Sequence, residues 1–422
     1  MLKASALYIV IIIALVIAVL CSSLIVAAYF YRSEYQKKFR YDQLQNNLNS
    51  GVNILLVGAD TSYNRGATFS LYNNDADSVT LKKIFWGMYD IGTSIAFAQK
   101  DTSYKTFSIG YNLDSGKWAA LYLIDEDRPL SLSGKTSIIG DVYIPKAGIT
   151  TAYVDNKAYQ GDKRLVIGTR KSSEKTLPPL SQARLDQFQR FMQQSHPGDS
   201  SISRKDSVSQ SFLLPTKYFN FKKTVQNIGN IQLNGNIILV SDTTITIDST
   251  AHLKDILVFA KSIKIKSGFN GNCQFFAKDS ISIDSNCRFA YPSCLGILRF
   301  GQAGLAPIQE YIHLGNGCNF AGMIFTYEKN MSALKPLVDL GKRVKITGQL
   351  YSQGGLRTKD SVEVDGSVFT SQFLYQDAFT LFQNYLINIT MSSKALPPYY
   401  LTGDLCPVAG QKKKVLQWLE AK

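Results

Sequence analysis

Hydrophobic and polar positions follow three different patterns along this chain of 422 residues. The first residues form an uncharged apolar run, residues 52–169 alternate between apolar and polar in short segments, and an apolar pattern recurs at a fixed interval from about residue 235. A long apolar run is typical of a transmembrane helix, whereas alternation with a period of two is typical of β-strands. The sequence therefore predicts a mainly β protein with one N-terminal transmembrane helix.

The apolar run contains no charged residue between Ala4 and Tyr31. It exceeds the roughly 20 residues that span a bilayer as a helix. It is also longer than the core of a signal peptide, and no small-residue cleavage pattern ends it, which favours an anchor that is retained. We expect residues 1–50 to form a transmembrane anchor followed by a helical stalk, with the lipid bilayer as one partner.

Charges on the two sides of this run leave its orientation open. Lys3 precedes it, whereas Arg32, Lys37, Lys38 and Arg40 follow it. The positive-inside rule would place the following residues in the cytoplasm, but a long C-terminal domain can be translocated regardless of flanking charge.

The segment KASALYIVIIIALVIAVL resembles the start of PilX- or GspK-type minor pilins and pseudopilins. The resemblance implies a short leader that a prepilin peptidase cuts near Ala4 or Ser5, and a remainder that faces outward. Ala4 stands where most pilins carry Gly, and Ile9 stands where major pilins carry Glu. We therefore expect a single-pass protein of the bacterial inner membrane with an extracytoplasmic C-terminal domain.

Residues 51–180 are predicted to form a β-rich domain, because short alternating runs are separated there by Gly, Asn and Asp. The run NILLVGAD at residues 53–60 is interpreted as a buried strand. Leu185, Phe188 and Met192 then share one helical face behind Ser181, a candidate N-cap. Residues 181–220 are therefore assigned to a helix and a linker.

An 18-residue repeat begins near residue 235. The segments TITIDS, IKIKSG and ISIDSN place isoleucines at this spacing, and VKITGQ and VEVDGS repeat the pattern. A fixed short period is typical of stacked coils, which bury their apolar sides only against one another. Residues 221–375 are therefore predicted to form a parallel β-solenoid (β-helix) with about 18 residues per coil. Its core row is predicted to contain Ile245, Ile263, Ile281, Val344 and Val362.

Three segments beginning at Gly322, Gly348 and Gly366 share a second pattern: glycine, then an aliphatic residue, an aromatic residue and a hydroxyl. These segments resemble the rungs of bactofilin-like polymer-forming β-solenoids. The resemblance implies a fold and no particular function.

Residues 376–422 are predicted to form a C-terminal cap and a basic amphipathic tail. Phe379, Phe382, Leu386 and Ile389 have the spacing of a helix that would cover the end of the solenoid. The tail is a candidate docking helix with the residues Lys412, Lys413, Lys414 and Trp418.

The five cysteines after the anchor are expected to be mainly reduced and buried, although disulfides between neighbouring coils stay possible. An odd number leaves at least one cysteine unpaired. These residues are Cys273, Cys287, Cys294, Cys318 and Cys406.

The chain has 46 Lys and Arg against 32 Asp and Glu, a net charge of +14. This balance suits acidic partners such as anionic lipid or an acidic glycan. Nucleic acid is disfavoured because the basic residues are dispersed and form no familiar binding module. Only three histidines are present, which weakens any interpretation that needs a histidine-based catalytic or metal centre.

Asp248, Asp284 and Asp365 each end an apolar segment and precede Ser or Gly. Such carboxylates could line an active site, but aspartate in this context is also what a tight turn requires. We therefore expect no enzymatic activity, no cofactor and no metal.

The leading hypothesis is a non-enzymatic, membrane-anchored envelope protein with a structural or assembly role, such as a pilin-like minor component that associates with other proteins or with itself. The alternatives are a bactofilin-like scaffold attached to the membrane in the cytoplasm, and a β-helix that binds or cleaves polysaccharide.

Overall fold

A computed structural model describes residues 2–58, 62–71, 77–199, 201–202, 207–301, 308–377 and 380–421. The protein is mainly β, with 49% strand and 17% helix, and carries one long apolar N-terminal helix. This confirms the predicted fold class at that level. The chain divides into two compact units. The helix–sheet unit contains Met1–Ile84, Gly92–Phe107 and Trp418–Lys422, and the ladder unit contains Phe85–Ile91 and Ser108–Gln417.

Two α-helices and 28 β-strands lie in the described part of the chain. The helices are α1 (Leu2–Val57) and α2 (Gln182–Gln193), and a 3₁₀ turn covers Ser62–Arg65. The strands before α2 are β1 (Ala67–Phe69), β2 (Asp77–Trp86), β3 (Tyr89–Ala98), β4 (Asp101–Leu113), β5 (Leu121–Leu123), β6 (Leu130–Ser133), β7 (Ser137–Ile139), β8 (Val142–Ile144), β9 (Ile149–Thr151) and β10 (Arg170–Ser172).

The strands after α2 fall into two groups. The first group is β11 (Ser207–Gln210), β12 (Lys217–Asn220), β13 (Gln226–Ile228), β14 (Gln232–Gly235), β15 (Ile237–Val240), β16 (Thr244–Ile247), β17 (His252–Ile265), β18 (Asn270–Ile283) and β19 (Arg288–Arg299). The second group is β20 (Tyr311–Leu314), β21 (Asn319–Glu328), β22 (Leu337–Leu340), β23 (Lys345–Thr358), β24 (Val362–Gln376), β25 (Leu381–Gln383), β26 (Tyr385–Ile387), β27 (Ile389–Ser392) and β28 (Ala409–Ala421).

One sheet has the strand order β1-β2-β3-β4-β28, and β1 pairs antiparallel with β2. Two sequence predictions are wrong here. The segment NILLVGAD does not begin a strand, because α1 continues through Val57. The C-terminal tail is not a helix, because it forms the edge strand β28 beside β4, and pairing with the sheet overrides the helical spacing of its apolar residues.

The remaining sheets are built mainly from parallel pairs, with β24 and β25 antiparallel, and hydrogen bonds link most of these strands into a closed barrel. Strand β17 pairs along its length with β14, β15 and β16 in turn. We therefore name three ladders. Ladder A includes residues 232–235, 252–254 and 270–272, ladder B includes 237–240, 256–260 and 273–277, and ladder C includes 244–247, 262–265 and 280–283.

The three glycines of the repeated segments stack at the passage from ladder A to ladder B. Gly322 pairs with Gly348, and Gly348 pairs with Gly366. Their φ angles are 142°, 140° and 153°, in a region that disfavours side chains. A Cβ atom on Gly348 would lie 2.0 Å from the carbonyl oxygen of Gly322. Only glycine lets the backbones stack at this corner.

The inner sides of the ladders form one apolar cluster, in which Ile245, Ile263 and Ile281 are fully buried and paired in register in ladder C. Val344 and Val362 are also buried, but the prediction that they join this row is wrong. The carbonyl of Val344 accepts a hydrogen bond from the amide of Glu363, which places both valines in ladder A.

The register changes because the sequence separation between paired residues differs from one strand pair to the next. Ile281 pairs with Ile312, Ile312 with Val338, and Val338 with Leu356, so only the last of these steps covers 18 residues. The buried row therefore continues through Ile312, Val338 and Leu356. The 18-residue spacing is interrupted between Ile281 and Val338.

Residues from two distant parts of the chain complete the ladders. Val368 pairs with Leu121, and Leu121 with Val142. Met391 of β27 pairs with Ile138. Residues 121–172 therefore belong to the same unit as residues 221–392, whereas the sequence assigned them to a separate β-rich domain.

The predicted helical cap is wrong. Residues 381–392 form the strands β25, β26 and β27, in which Leu386 and Ile389 are buried; Phe379 lies outside the described residues. The loop of residues 152–169 instead brings Tyr159, Leu165 and Val166 against the ladder core. This loop lies beside the last strands of the ladders, β9 and β10.

Candidate functional site

The first half of α1 is an apolar surface that the rest of the described chain leaves uncovered. Its large side chains from Leu7 to Tyr31 are exposed, including Leu24 at 68% and Ile25 at 70%. The helix is long and apolar enough to cross a membrane. Ala4 and Ser5 lie within α1, and their predicted processing stays a prediction.

The next two turns of α1 are polar. Lys37 pairs with Glu34 at 2.8 Å on the helix itself. Arg40 reaches Asp101 of β4, with 2.8 Å between Nε and Oδ2. These exposed pairs contribute little to stability, on the order of 0–1 kcal/mol each. They mark where the helix passes from an exposed apolar surface to one that packs on protein.

The second half of α1 packs on the antiparallel sheet. Leu44, Leu48, Val52 and Leu55 are buried and recur every three or four residues, the spacing of one helical face. Gly51 lies on the same side, and a Cβ atom there would lie 2.3 Å from the hydroxyl of Ser94 in β3. A glycine therefore permits the close approach of helix and sheet.

A buried carboxylate fixes the helix to the sheet. Asp77, at the start of β2, accepts hydrogen bonds from Nδ2 of Asn47 at 2.8 Å and from Nε2 of Gln43 at 2.9 Å. Both donors lie one turn apart on α1. Burying a carboxylate is costly unless hydrogen bonds satisfy it, so these donors select one register of α1 on the sheet.

The predicted docking residues lie on β28. Trp418 is half exposed, and its ring lies 5.5 Å from that of Phe107 and 5.8 Å from the ammonium of Lys105. Lys412, Lys413 and Lys414 precede it on the same strand. Because side chains alternate along a strand, these residues do not form one basic helical face.

All six cysteines are free. Cys287 and Cys318 are buried neighbours in ladder A, where the amide of Asn319 donates to the carbonyl of Cys287. A hydrogen bond from Cys318 lowers the pKa of Cys287, and the same bond raises the pKa of Cys318. Cys273, Cys294 and Cys406 are buried, and burial raises the pKa of each thiol. The expected buried thiols are present.

The three candidate carboxylates do not converge. Asp248 and Asp284 follow ladder C, whereas Asp365 lies in ladder A. Asp248 accepts a hydrogen bond from Lys266 at 3.1 Å, which lowers its pKa. Asp365 lies 2.9 Å from the ammonium of Lys345. The described residues contain no group of three or more His, Cys, Asp or Glu side chains placed to hold a metal.

The sequence analysis missed a buried ionic cluster around Arg184 of α2. This side chain is fully buried and donates to Asp90 at 2.9 Å and to Asp404 at 3.0 Å. Burial alone would lower the pKa of Arg184, but the two carboxylates raise it. The sequence did contain one indication that Arg184 is buried: it lies four residues before Phe188 and therefore on the same face of the helix.

Comparisons with known proteins do not indicate a family or a function for these residues. No protein-family model matches the chain, and neither the curated proteins nor the solved structures contain a match.

Proposed function

We propose that this chain is a non-enzymatic, single-pass membrane protein with a structural or assembly role. The observation that carries the proposal is the division of α1: one unbroken helix exposes apolar side chains in its first half and packs on its own sheet in its second half. The first half spans the bilayer, and the second half fixes the anchor to the folded part of the chain.

The energetic argument rests on exposed apolar surface. Burying one large aliphatic side chain is worth about 1.5–3 kcal/mol. More than a dozen such side chains are exposed between Leu7 and Tyr31. A helix of this kind is stable only in lipid or against other apolar helices.

An assembly role is supported by the two regular parts of the chain. A long helix packed on an antiparallel sheet agrees with the pilin-like N-terminus, in which the leader is cut near Ala4 or Ser5. We further propose that the ladders are coils of a β-solenoid. Parallel partners 18 residues apart, such as Ile245 with Ile263, support this winding.

Membrane extraction of the full-length chain tests the anchor. Ile13→Lys places a charge in the proposed span and should move much of the protein into the carbonate-soluble fraction. Phe39→Lys is the matched control, because Phe39 is an exposed apolar residue within the basic segment that follows the proposed span; it should leave the protein in the membrane pellet. Carbonate-soluble wild-type protein would refute the proposal.

We place the C-terminal domain outside the cytoplasm of a bacterial cell, at the inner membrane. Protease added to intact spheroplasts should then digest it. The basic residues from Arg32 to Arg40 favour the opposite orientation, in which the chain is a cytoplasmic scaffold. A reporter fused after Lys422 that is active only in the cytoplasm would establish that alternative.

A further inference from the structure

The outer side of ladder A carries an open groove of about 760 Å³. The strands that form it are β14, β17, β18 and the start of β19. Because adjacent strands are paired in parallel, equivalent side chains stack in columns across the coils. The polar side chains that line it are Gln232, Asn234, His252, Lys254, Asn270 and Asn272.

These side chains are hydrogen-bonding groups that point away from the core. Gln232 pairs with His252, and Asn270 pairs with Arg288, so an amide alternates with a basic residue in one column. The second column contains Asn234, Lys254 and Asn272 and ends at Ala290, whose small side chain widens the groove. Side-chain amides donate and accept hydrogen bonds at once, which suits hydroxyl groups.

The groove is basic. Lys254 lines it, and Arg288 lies beside it as the strand neighbour of Asn270. Both are exposed, and neither has a carboxylate within salt-bridge distance among the described residues. Asp255, which follows Lys254, accepts a hydrogen bond from Asn272 at 3.2 Å and is largely buried, which raises its pKa. Further along ladder A, Glu363 and Asp365 are both paired with Lys345. An acidic ligand would therefore meet cations and amides.

The columns also set a length. Gln232, His252, Asn270 and Arg288 occupy four successive coils, and the three steps between them, at about 4.8 Å each, make a strip of roughly 14 Å. A short segment of an extended polysaccharide covers such a strip with about one sugar unit per coil. Nucleic acid fits less well, because no Phe, Tyr or Trp lines the groove to provide a large platform for base stacking.

We propose that this groove binds an acidic polysaccharide, with Lys254 and Arg288 contacting its carboxylates and the amides contacting its hydroxyl groups. This inference is independent of the membrane anchor. A membrane-anchored protein with such a groove would hold an acidic glycan close to the lipid surface.

The test uses the full-length chain in nanodiscs of zwitterionic lipid, so that the lipid adds no charge. Binding is measured to polygalacturonate, neutral dextran and single-stranded DNA. We expect polygalacturonate to bind at least about tenfold more tightly than dextran or DNA. Its affinity should fall as the salt concentration rises.

Two charge variants locate the site. Lys254→Gln with Arg288→Gln should weaken polygalacturonate binding by about tenfold. Lys264→Gln with Lys278→Gln removes the same charge from exposed positions outside the groove and should change affinity less than about twofold. Asn270→Ala keeps the net charge and should weaken binding about threefold, since a hydroxyl contact is lost.

Each opposite result overturns the proposal. Absence of polygalacturonate binding would refute the proposal that the groove binds an acidic polysaccharide. An equal loss in both charge variants, or DNA binding as tight as polygalacturonate with Asn270→Ala unaffected, would show attraction to the overall positive charge. Thermal unfolding of each variant should match that of the wild type, because the substituted residues are exposed.

Discussion

The ladder unit and the helix–sheet unit bury their apolar side chains in different ways. In the ladder unit one kind of contact is repeated, since Ile245, Ile263 and Ile281 each meet an equivalent residue in the neighbouring strand. In the helix–sheet unit each contact occurs once, as where Gly51 of α1 approaches Ser94. Repetition spreads the effect of a substitution to neighbouring strands, whereas a single contact confines it to one place.

The largest effect is expected inside the repeated core. Ile263→Asp places an unpaired charge in a fully buried row and should lower the free energy of unfolding by about 4 kcal/mol or more. Lys264→Asp changes the adjacent, exposed residue and should cost less than about 1 kcal/mol. Denaturant unfolding followed by circular dichroism compares them, and equal midpoints would contradict the register.

The buried ionic cluster of the ladder unit should come next. Arg184→Met leaves Asp90 and Asp404 without their cation and should cost about 3–4 kcal/mol. Combining it with Asp90→Asn and Asp404→Asn removes the unpaired charges and should restore most of the loss. Failure of the triple variant to recover would show that the cluster contributes specific geometry as well as charge balance. Denaturant midpoints of the three proteins decide this.

In the helix–sheet unit, Gly51→Leu should push α1 away from β2 and β3 and cost about 2 kcal/mol. Asn46→Leu adds the same side chain to an exposed position of the helix and should be nearly neutral. Hydrogen–deuterium exchange reports on each unit separately. Faster exchange should be confined to α1, β2 and β3, and faster exchange in ladder C would contradict the local character of this packing.

A pH-dependent effect is expected at Asp339 in ladder C. Burial alone would raise its pKa, but His313 at 2.9 Å and Arg357 at 2.8 Å hold it well below its ordinary value. The folded state therefore gains stability from the ionised carboxylate above about pH 4 and loses it as the pH falls further. Asp339→Asn should cost about 1.5 kcal/mol at neutral pH. The difference from wild type should shrink in acid; a constant difference would contradict the linkage.

The smallest effect is expected at the surface pair of Asp248 and Lys266. Asp248 is about one-third exposed and also accepts a hydrogen bond from the amide of Thr250. Asp248→Ala should cost less than about 1 kcal/mol, because exposed ion pairs contribute little. It should also leave membrane retention and any partner binding unchanged. Loss of function without loss of stability would favour an enzyme.

Sequence reasoning succeeded where one physical cause acts repeatedly. The isoleucines of ladder C and the stacked glycines at 322, 348 and 366 recur because successive paired strands share the same packing and the same corner. The prediction failed between Ile281 and Val338, where paired residues lie at unequal sequence separations, so that the valines at 344 and 362 fall in another ladder.

The remaining failures involve contacts between distant residues. Arg184 meets Asp404, which is 220 residues away, and no local pattern records such a partner. The apolar half of α1 was evident from composition alone. The packed half was not evident, because Leu44 and Leu48 are buried only by the sheet that they cover, and the local sequence does not show that contact.

The joining of residues 121–172 to the far end of the ladders has a consequence for how the chain folds. Strand β5 pairs with β24, some 240 residues later, so this part of the ladder cannot close until most of the protein has been synthesised. Contacts between such distant residues raise the contact order and slow folding. Strands β5 and β7 remain without their β24 and β27 neighbours during that interval, with apolar edges available to incorrect pairing. If α1 is the anchor that we propose, it would hold the unfinished chain at the membrane while the C-terminal strands are synthesised.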